Sequence, residues 1–150
     1  MRHALLMLAC LCLAACSDSD APRPARVLEA APSHADFGPL RVHYNVLPTL
    51  AMNPAVATSY GVNRSADQAL LVVALREVLG GDETPLDGSI TAIATDLSGR
   101  RQQLTLRPVL TGAYTDHVGA VQISNHDTLR FVLQVQSEQG GGTVRFERNF

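Results

Sequence analysis

Leu129-Arg130-Phe131-Val132-Leu133-Gln134-Val135-Gln136 sets apolar Leu129, Phe131, Leu133 and Val135 on one phase and mostly polar residues on the other. A period of two is the mark of a strand with one buried face, because successive side chains point to opposite sides of a pleated chain. The same period runs through the neighbouring segments. Val144 and Phe146 alternate with Arg145 and Glu147, and Phe150 continues the apolar phase. Val121 and Ile123 form another run, with Gly119 in phase before them. Leu104 and Leu106 alternate with Thr105 and Arg107, and Leu40, Val42, Tyr44 and Val46 with Arg41, His43 and Asn45.

Two segments differ. Leu70 to Leu75 is apolar at every position, as expected of a strand buried on both faces. Ser89 to Leu97 places aliphatic residues on both phases and is also read as central. Pro108 has no amide donor, so its strand is expected at an edge or to end there. Gly80-Gly81-Asp82, Leu86-Asp87-Gly88, Leu97-Ser98-Gly99, Asn125-His126-Asp127 and Gly140-Gly141-Gly142 are read as the turns between strands. About seven short strands at this spacing predict an all-β, immunoglobulin-like antiparallel β-sandwich. One short helix is expected between the first two strands. Asn53 caps it, Pro54 takes its first position, and Gly61 stops it. It is expected to close one end of the sandwich and cover the outer face of Leu70–Leu75.

The N-terminus carries an address. Arg2 and His3 precede the apolar run Ala4 to Ala15, which exits through Leu13-Ala14-Ala15 into Cys16. This pattern reads as a secretory signal of the bacterial lipoprotein kind, residues 1–15, with Cys16 as the lipidation site. Residues 16–35, rich in Ser, Asp, Ala and Pro, read as an acylated Cys and flexible tether, and 36–150 as the sandwich domain. Cys10 and Cys12 leave with the signal, so no intrachain disulfide is available to the mature chain. Ser17, where an Asp would favour inner-membrane retention, leads to an expected place at the outer membrane, facing the periplasm.

Charge excludes one class of partner. All twelve basic residues are Arg, against fourteen acids, and the two signs are interspersed. Nucleic-acid binding needs a concentrated basic face, and none is visible. The doublet Arg100-Arg101 reads as a solvated turn.

Several stretches resemble a known family. Val42-His43-Tyr44-Asn45, Asn53-Pro54-Ala55-Val56-Ala57 and Tyr60-Gly61-Val62-Asn63-Arg64-Ser65 are similar to an uncharacterised family of bacterial exported proteins, domain of unknown function 4426. So are Tyr114-Thr115-Asp116-His117-Val118-Gly119, Leu129-Arg130-Phe131 and Arg145-Phe146-Glu147-Arg148-Asn149-Phe150. The resemblance covers residues 37–150 and supports fold and address; the family has no assigned activity, so it implies no reaction. The chain departs from the family pattern at Val46 and Leu47 and in the wholly apolar Leu70–Leu75.

One constellation stands out as a candidate binding site: His43, Asn45, Tyr60, Arg64 and Ser65. His43 and Asn45 share a strand face, and Tyr60 and Arg64 follow the helix. A planar Arg donor with His, Asn and Tyr suits a carboxylate or a peptide backbone. The competing reading is structural, with Arg64 satisfying carbonyls at the helix end. His117 and His126 each adjoin an Asp but are read as lying at opposite ends of one strand, too far apart to share an ion. No metal site and no cofactor are expected. Gly-x-Ser-x-Gly, His-Glu-x-x-His and a free nucleophilic Cys are all missing from the chain, so no enzyme is expected. The reading is a lipid-anchored, non-catalytic binding or structural module that contacts another cell-envelope protein. A small-molecule or copper-type metal carrier of the periplasm is the alternative.

Overall fold

The structure, a computed structural model, describes residues 32–150. Cys16, the signal segment 1–15 and most of the expected tether lie outside the described residues. The described residues form ten strands: β1 (His34–Phe37), β2 (Leu40–Pro48), β3 (Gln68–Leu79), β4 (Asp82–Pro85), β5 (Gly88–Thr95), β6 (Arg101–Leu104), β7 (Arg107–Thr111), β8 (Tyr114–Gln122), β9 (Thr128–Ser137) and β10 (Gly140–Asn149). They make two antiparallel sheets. The larger has six strands in the order β1-β2-β3-β8-β7, with β4 also paired to β3; the smaller has four, in the order β10-β9-β5-β6. This is the all-β sandwich that the alternation predicts.

The core follows strand phase. In β9, Leu129, Phe131, Leu133 and Val135 are buried while Arg130, Gln134 and Gln136 face out. They meet Val42, Val46, Leu71, Val73 and Leu75 of the larger sheet. The Phe131 ring stacks on Phe146 at 4.9 Å between centroids, and Phe146 stacks on Tyr44 at 4.5 Å. β3 is buried on both sides. Its Leu71 phase enters the core, and Leu70 enters a second cluster with Met52, Ala57 and Val118.

That second cluster lies under helix α1 (Pro54–Ser59), so the helix covers the outer face of β3 at Leu70 and Val72. The Asn53 side chain caps α1 by accepting from Ala55 N–H at 2.9 Å, and Gly61, at φ +61°, ends it in the left-handed region. A short 3-10 turn, Thr49–Ala51, precedes it. Buried Thr49 donates its hydroxyl to the carbonyls of Ser65 and Gln68, both at 3.1 Å, and accepts from Ser65 N–H at 2.9 Å.

The strand count exceeds seven for three reasons. β1 begins at His34, inside the stretch read as tether, and pairs with β2 from His34–His43 to Phe37–Leu40. β4 is a polar segment with no apolar phase to read. The run read as one strand around Leu104–Arg107 is two, because the chain passes from the smaller sheet to the larger between β6 and β7. Pro108 does sit at an edge, in β7. The glycine run is not a turn: Glu138-Gln139 turn, and Gly140–Gly142 open β10. A methyl group at Gly142 would fall on the Phe37 ring, which docks there. Among the described residues no helix is long and apolar enough to cross a membrane.

Candidate functional site

The polar phase of β2 faces outward from the larger sheet. Ladder register sets His34, His43, Ala74, Asp116 and Val109 in one row across β1, β2, β3, β8 and β7. The next row runs Asp36, Arg41, Arg76 and Pro85. Small Ala74 therefore separates two polar groups, one on each side.

The first is built on Arg41. Its Nε and Nη2 donate to the two oxygens of Asp36 at 2.7 and 2.8 Å, and its Nη1 donates to Glu83 Oε1 at 2.8 Å. The other Glu83 oxygen lies 2.8 Å from His43 Nε2, which fixes a proton on that nitrogen. The Arg41 bonds hold the Asp36 carboxyl below the usual carboxylate range. Glu83 is lowered likewise, by Arg41 first and then by His43. The His34 ring lies 5.7 Å from that of His43.

The second group centres on Asp116, which is buried. Tyr60, at the end of α1, donates its hydroxyl to Asp116 Oδ2 at 3.0 Å. Arg76 lies 3.8 Å from the other oxygen, donates to Leu75 O at 2.8 Å, and packs its guanidinium 4.5 Å over the Tyr114 ring. Burial pushes the Tyr60 hydroxyl up, and the Asp116 carboxylate adds to the shift.

The five sequence candidates divide. His43 and Tyr60 lie on this face, one in each group. Asn45 turns its oxygen to Val46 N–H at 2.8 Å. Arg64 does not reach the end of α1; it donates to Leu50 O of the 3-10 turn at 2.7 Å. The carbonyl at the helix end, that of Tyr60, is taken by Arg107 instead. Ser65 bonds Asp67 and Thr49. Arg64 and Ser65 thus brace the approach to β3. Arg41, Glu83, Arg76 and Asp116 were missed. Arg41 shares the readable phase of His43, whereas Glu83 lies in a segment that reads as a turn.

His117 and His126 do not bracket one strand. His117 lies within β8, its Nδ1 buried without a hydrogen-bond partner, and burial lowers its pKa. His126 occupies the β8–β9 turn at φ +61°. Among the described residues no group of three His, Cys, Asp or Glu is placed to hold a metal ion, and no serine hydroxyl bonds a histidine. A cleft of about 590 Å³ between Pro85–Gly88 and Gln136–Glu138, and an apolar one of about 370 Å³ beside Leu50 and Phe150, include none of His43, Glu83, Arg76 and Asp116.

Known structures share this architecture. A family protein from Pseudomonas aeruginosa PAO1 is 29% identical with a TM-score of 0.66, the match covering 78% of this chain and 92% of that one. FetP of uropathogenic Escherichia coli strain F11, recombinantly expressed in the periplasm of Escherichia coli, is 12% identical over 78% of this chain and 91% of its own, with a TM-score of 0.56. A copper-bound variant of FetP is 14% identical over 78% and 93%, with a TM-score of 0.51. At such identity FetP shares the fold alone. No curated protein matches the chain. The family described as a domain of unknown function, DUF4426, matches residues 34–150, and the chain belongs to it.

Proposed function

We propose that the protein is a lipid-anchored, non-catalytic binding module of the cell envelope. It is acylated at Cys16, held at the outer membrane facing the periplasm, and contacts another envelope protein through the outer face of its larger sheet. The observation that carries this reading is the Arg41 clamp. One guanidinium orders Asp36, Glu83 and, through Glu83, His43 on an open sheet face. Ordering charged side chains costs rotamer entropy, and a face ordered in advance binds at lower entropic cost. The test places a photo-reactive residue at exposed Asn45 and crosslinks in the intact envelope. A discrete protein adduct is expected, lost in His43→Ala and Glu83→Gln without a matching loss of melting temperature. The same adduct in both variants, or none in the parent, overturns the reading. For the anchor, a fatty-acid probe should label the parent and not Cys16→Ser.

The alternative is a small-molecule or copper-type carrier. It draws on the fold shared with FetP, one of whose variants is copper-bound. Arg41 weighs against it, since the guanidinium occupies three carboxylate oxygens that a cation would need and adds positive charge. Stoichiometric copper binding lost in His43→Ala would replace the first reading with this one.

A further inference from the structure

β10 is an edge of the smaller sheet. Phe37 of β1 packs on the inner face of its first residues, at Gly142. Along Thr143–Asn149 no strand pairs on the outer side among the described residues. Phe150 N–H donates to Asp127 O at 2.9 Å, continuing the β9–β10 ladder. That bond sets the parity of the edge. Even-numbered residues of β10 bond to β9, and Thr143, Arg145, Glu147 and Asn149 turn their N–H and C=O groups to the open side. The side chains of Arg145 and Glu147 stand exposed on the outer face, while Val144 is buried and Phe146 half-buried on the inner one.

We propose that this edge pairs antiparallel with β10 of a second copy of the chain, joining the two smaller sheets about a twofold axis at Phe146. Phe146 is the midpoint of Thr143–Asn149, so the register that centres on it opposes that whole stretch to its copy. In that register the outward-bonding residues oppose one another, as an antiparallel ladder requires. Arg145 meets Glu147 of the second copy, Glu147 meets its Arg145, and Thr143 meets its Asn149. Moving the axis to Arg145 or to Glu147 also satisfies parity, but sets like charges face to face at the axis, which is unfavourable. Within each chain Arg130 already donates to Glu147 at 2.7 Å. The carboxylate then lies between two guanidinium groups, one from each copy. On the inner face the half-exposed Phe146 rings meet at the axis. Charges on an edge strand commonly prevent pairing; these are self-complementary, and an isologous contact needs that property.

The test is sedimentation of the full chain in mild detergent over a range of protein concentrations. A dimer that forms with concentration and weakens with salt is expected. Arg145→Glu should weaken self-association more than about tenfold, because two symmetry-related attractions become repulsions. Arg145 has no side-chain bond within its own chain among the described residues, so its variant should melt like the parent. Glu147→Arg alone should weaken self-association to a similar degree. An equimolar mixture of the two variants should recover the dimer, since every opposed pair is again of opposite sign. A parent that stays monomeric, an Arg145→Glu dimer as tight as the parent's, or a mixture that does not recover would each overturn the proposal. Amide exchange gives a second readout: protection at Thr143, Arg145 and Glu147 should rise with protein concentration, and protection that stays constant there would count against the pairing.

Discussion

Phe131 shows how much one side chain carries. It is buried in the best-patterned strand and stacks on Phe146. Phe131→Ala should destabilise the domain by about 3–5 kcal/mol, from lost transfer energy and the cavity left behind. Gln134→Ala, three residues on and exposed, is the control. Equal melting shifts for the two would show the phase of β9 to be wrong. Arg64 is a smaller case. Its bond to Leu50 O is charge-assisted but exposed, so Arg64→Ala should cost roughly 1 kcal/mol, or roughly 4 °C in melting temperature. Binding to an envelope partner should survive that change. If crosslinking from Asn45 disappears while the melt is unchanged, Arg64 belongs to the recognition surface. Strand phase made Phe131 readable. The structural reading of Arg64 puts its bond at the helix end, but the carbonyl it satisfies is that of Leu50. A guanidinium bonds whatever the fold brings within reach, and here that is the 3-10 turn.

At the scale of elements, β1 depends on a glycine. Phe37 docks where Gly142 has no side chain, tying the first strand of the larger sheet to the last of the smaller. Gly142→Ala should displace that ring and cost about 1–3 kcal/mol, as overpacking does. Amide protection over His34–Phe37 should fall first, while that of β9 persists. Equal loss in both would mean that β1 is not held separately. Neither β1 nor the extended role of Gly140–Gly142 was legible, because a strand of four residues has too little period and consecutive glycines look like a turn. β3 and α1 were legible. An unbroken apolar run needs cover on both faces, and Asn53-Pro54 and Gly61 supply the chemistry of helix ends.

The whole molecule should lose stability toward acid in two stages. Burial lowers the pKa of His117, so the native state favours its neutral form. Its contribution is complete above the usual value of about 6.5 and is lost as pH falls below that toward the folded value. Asp36 and Glu83, lowered chiefly by bonds from Arg41, and Asp96, lowered chiefly by Ser98, act at lower pH. Their contribution is complete above the usual carboxylate range of about 4 and is lost as pH falls below it toward the lowered folded values. Thermal melts by circular dichroism from about pH 8 to about pH 3 should therefore decline twice. Arg41→Gln should flatten the second decline. A parallel profile for that variant would mean that the exposed pairs add nothing to stability, as many surface pairs do.

Alternation along β9, β2 and β10, the two-faced burial of β3 and the bounds of α1 were determined by the sequence itself. Each depends on side chains within a few residues of one another, and local geometry gives these a fixed period. The meeting of Arg41 with Glu83 and of Tyr60 with Asp116 was decided only by the tertiary structure. Those partners lie 42 and 56 residues apart along the chain; Arg41 meets Glu83 because β2, β3 and β4 share one sheet in one register, and Tyr60 meets Asp116 because α1 packs on the outer face of β3 and β8. Period tells which face a residue takes. Register tells which residue stands opposite, and register is set by packing of the whole sheet.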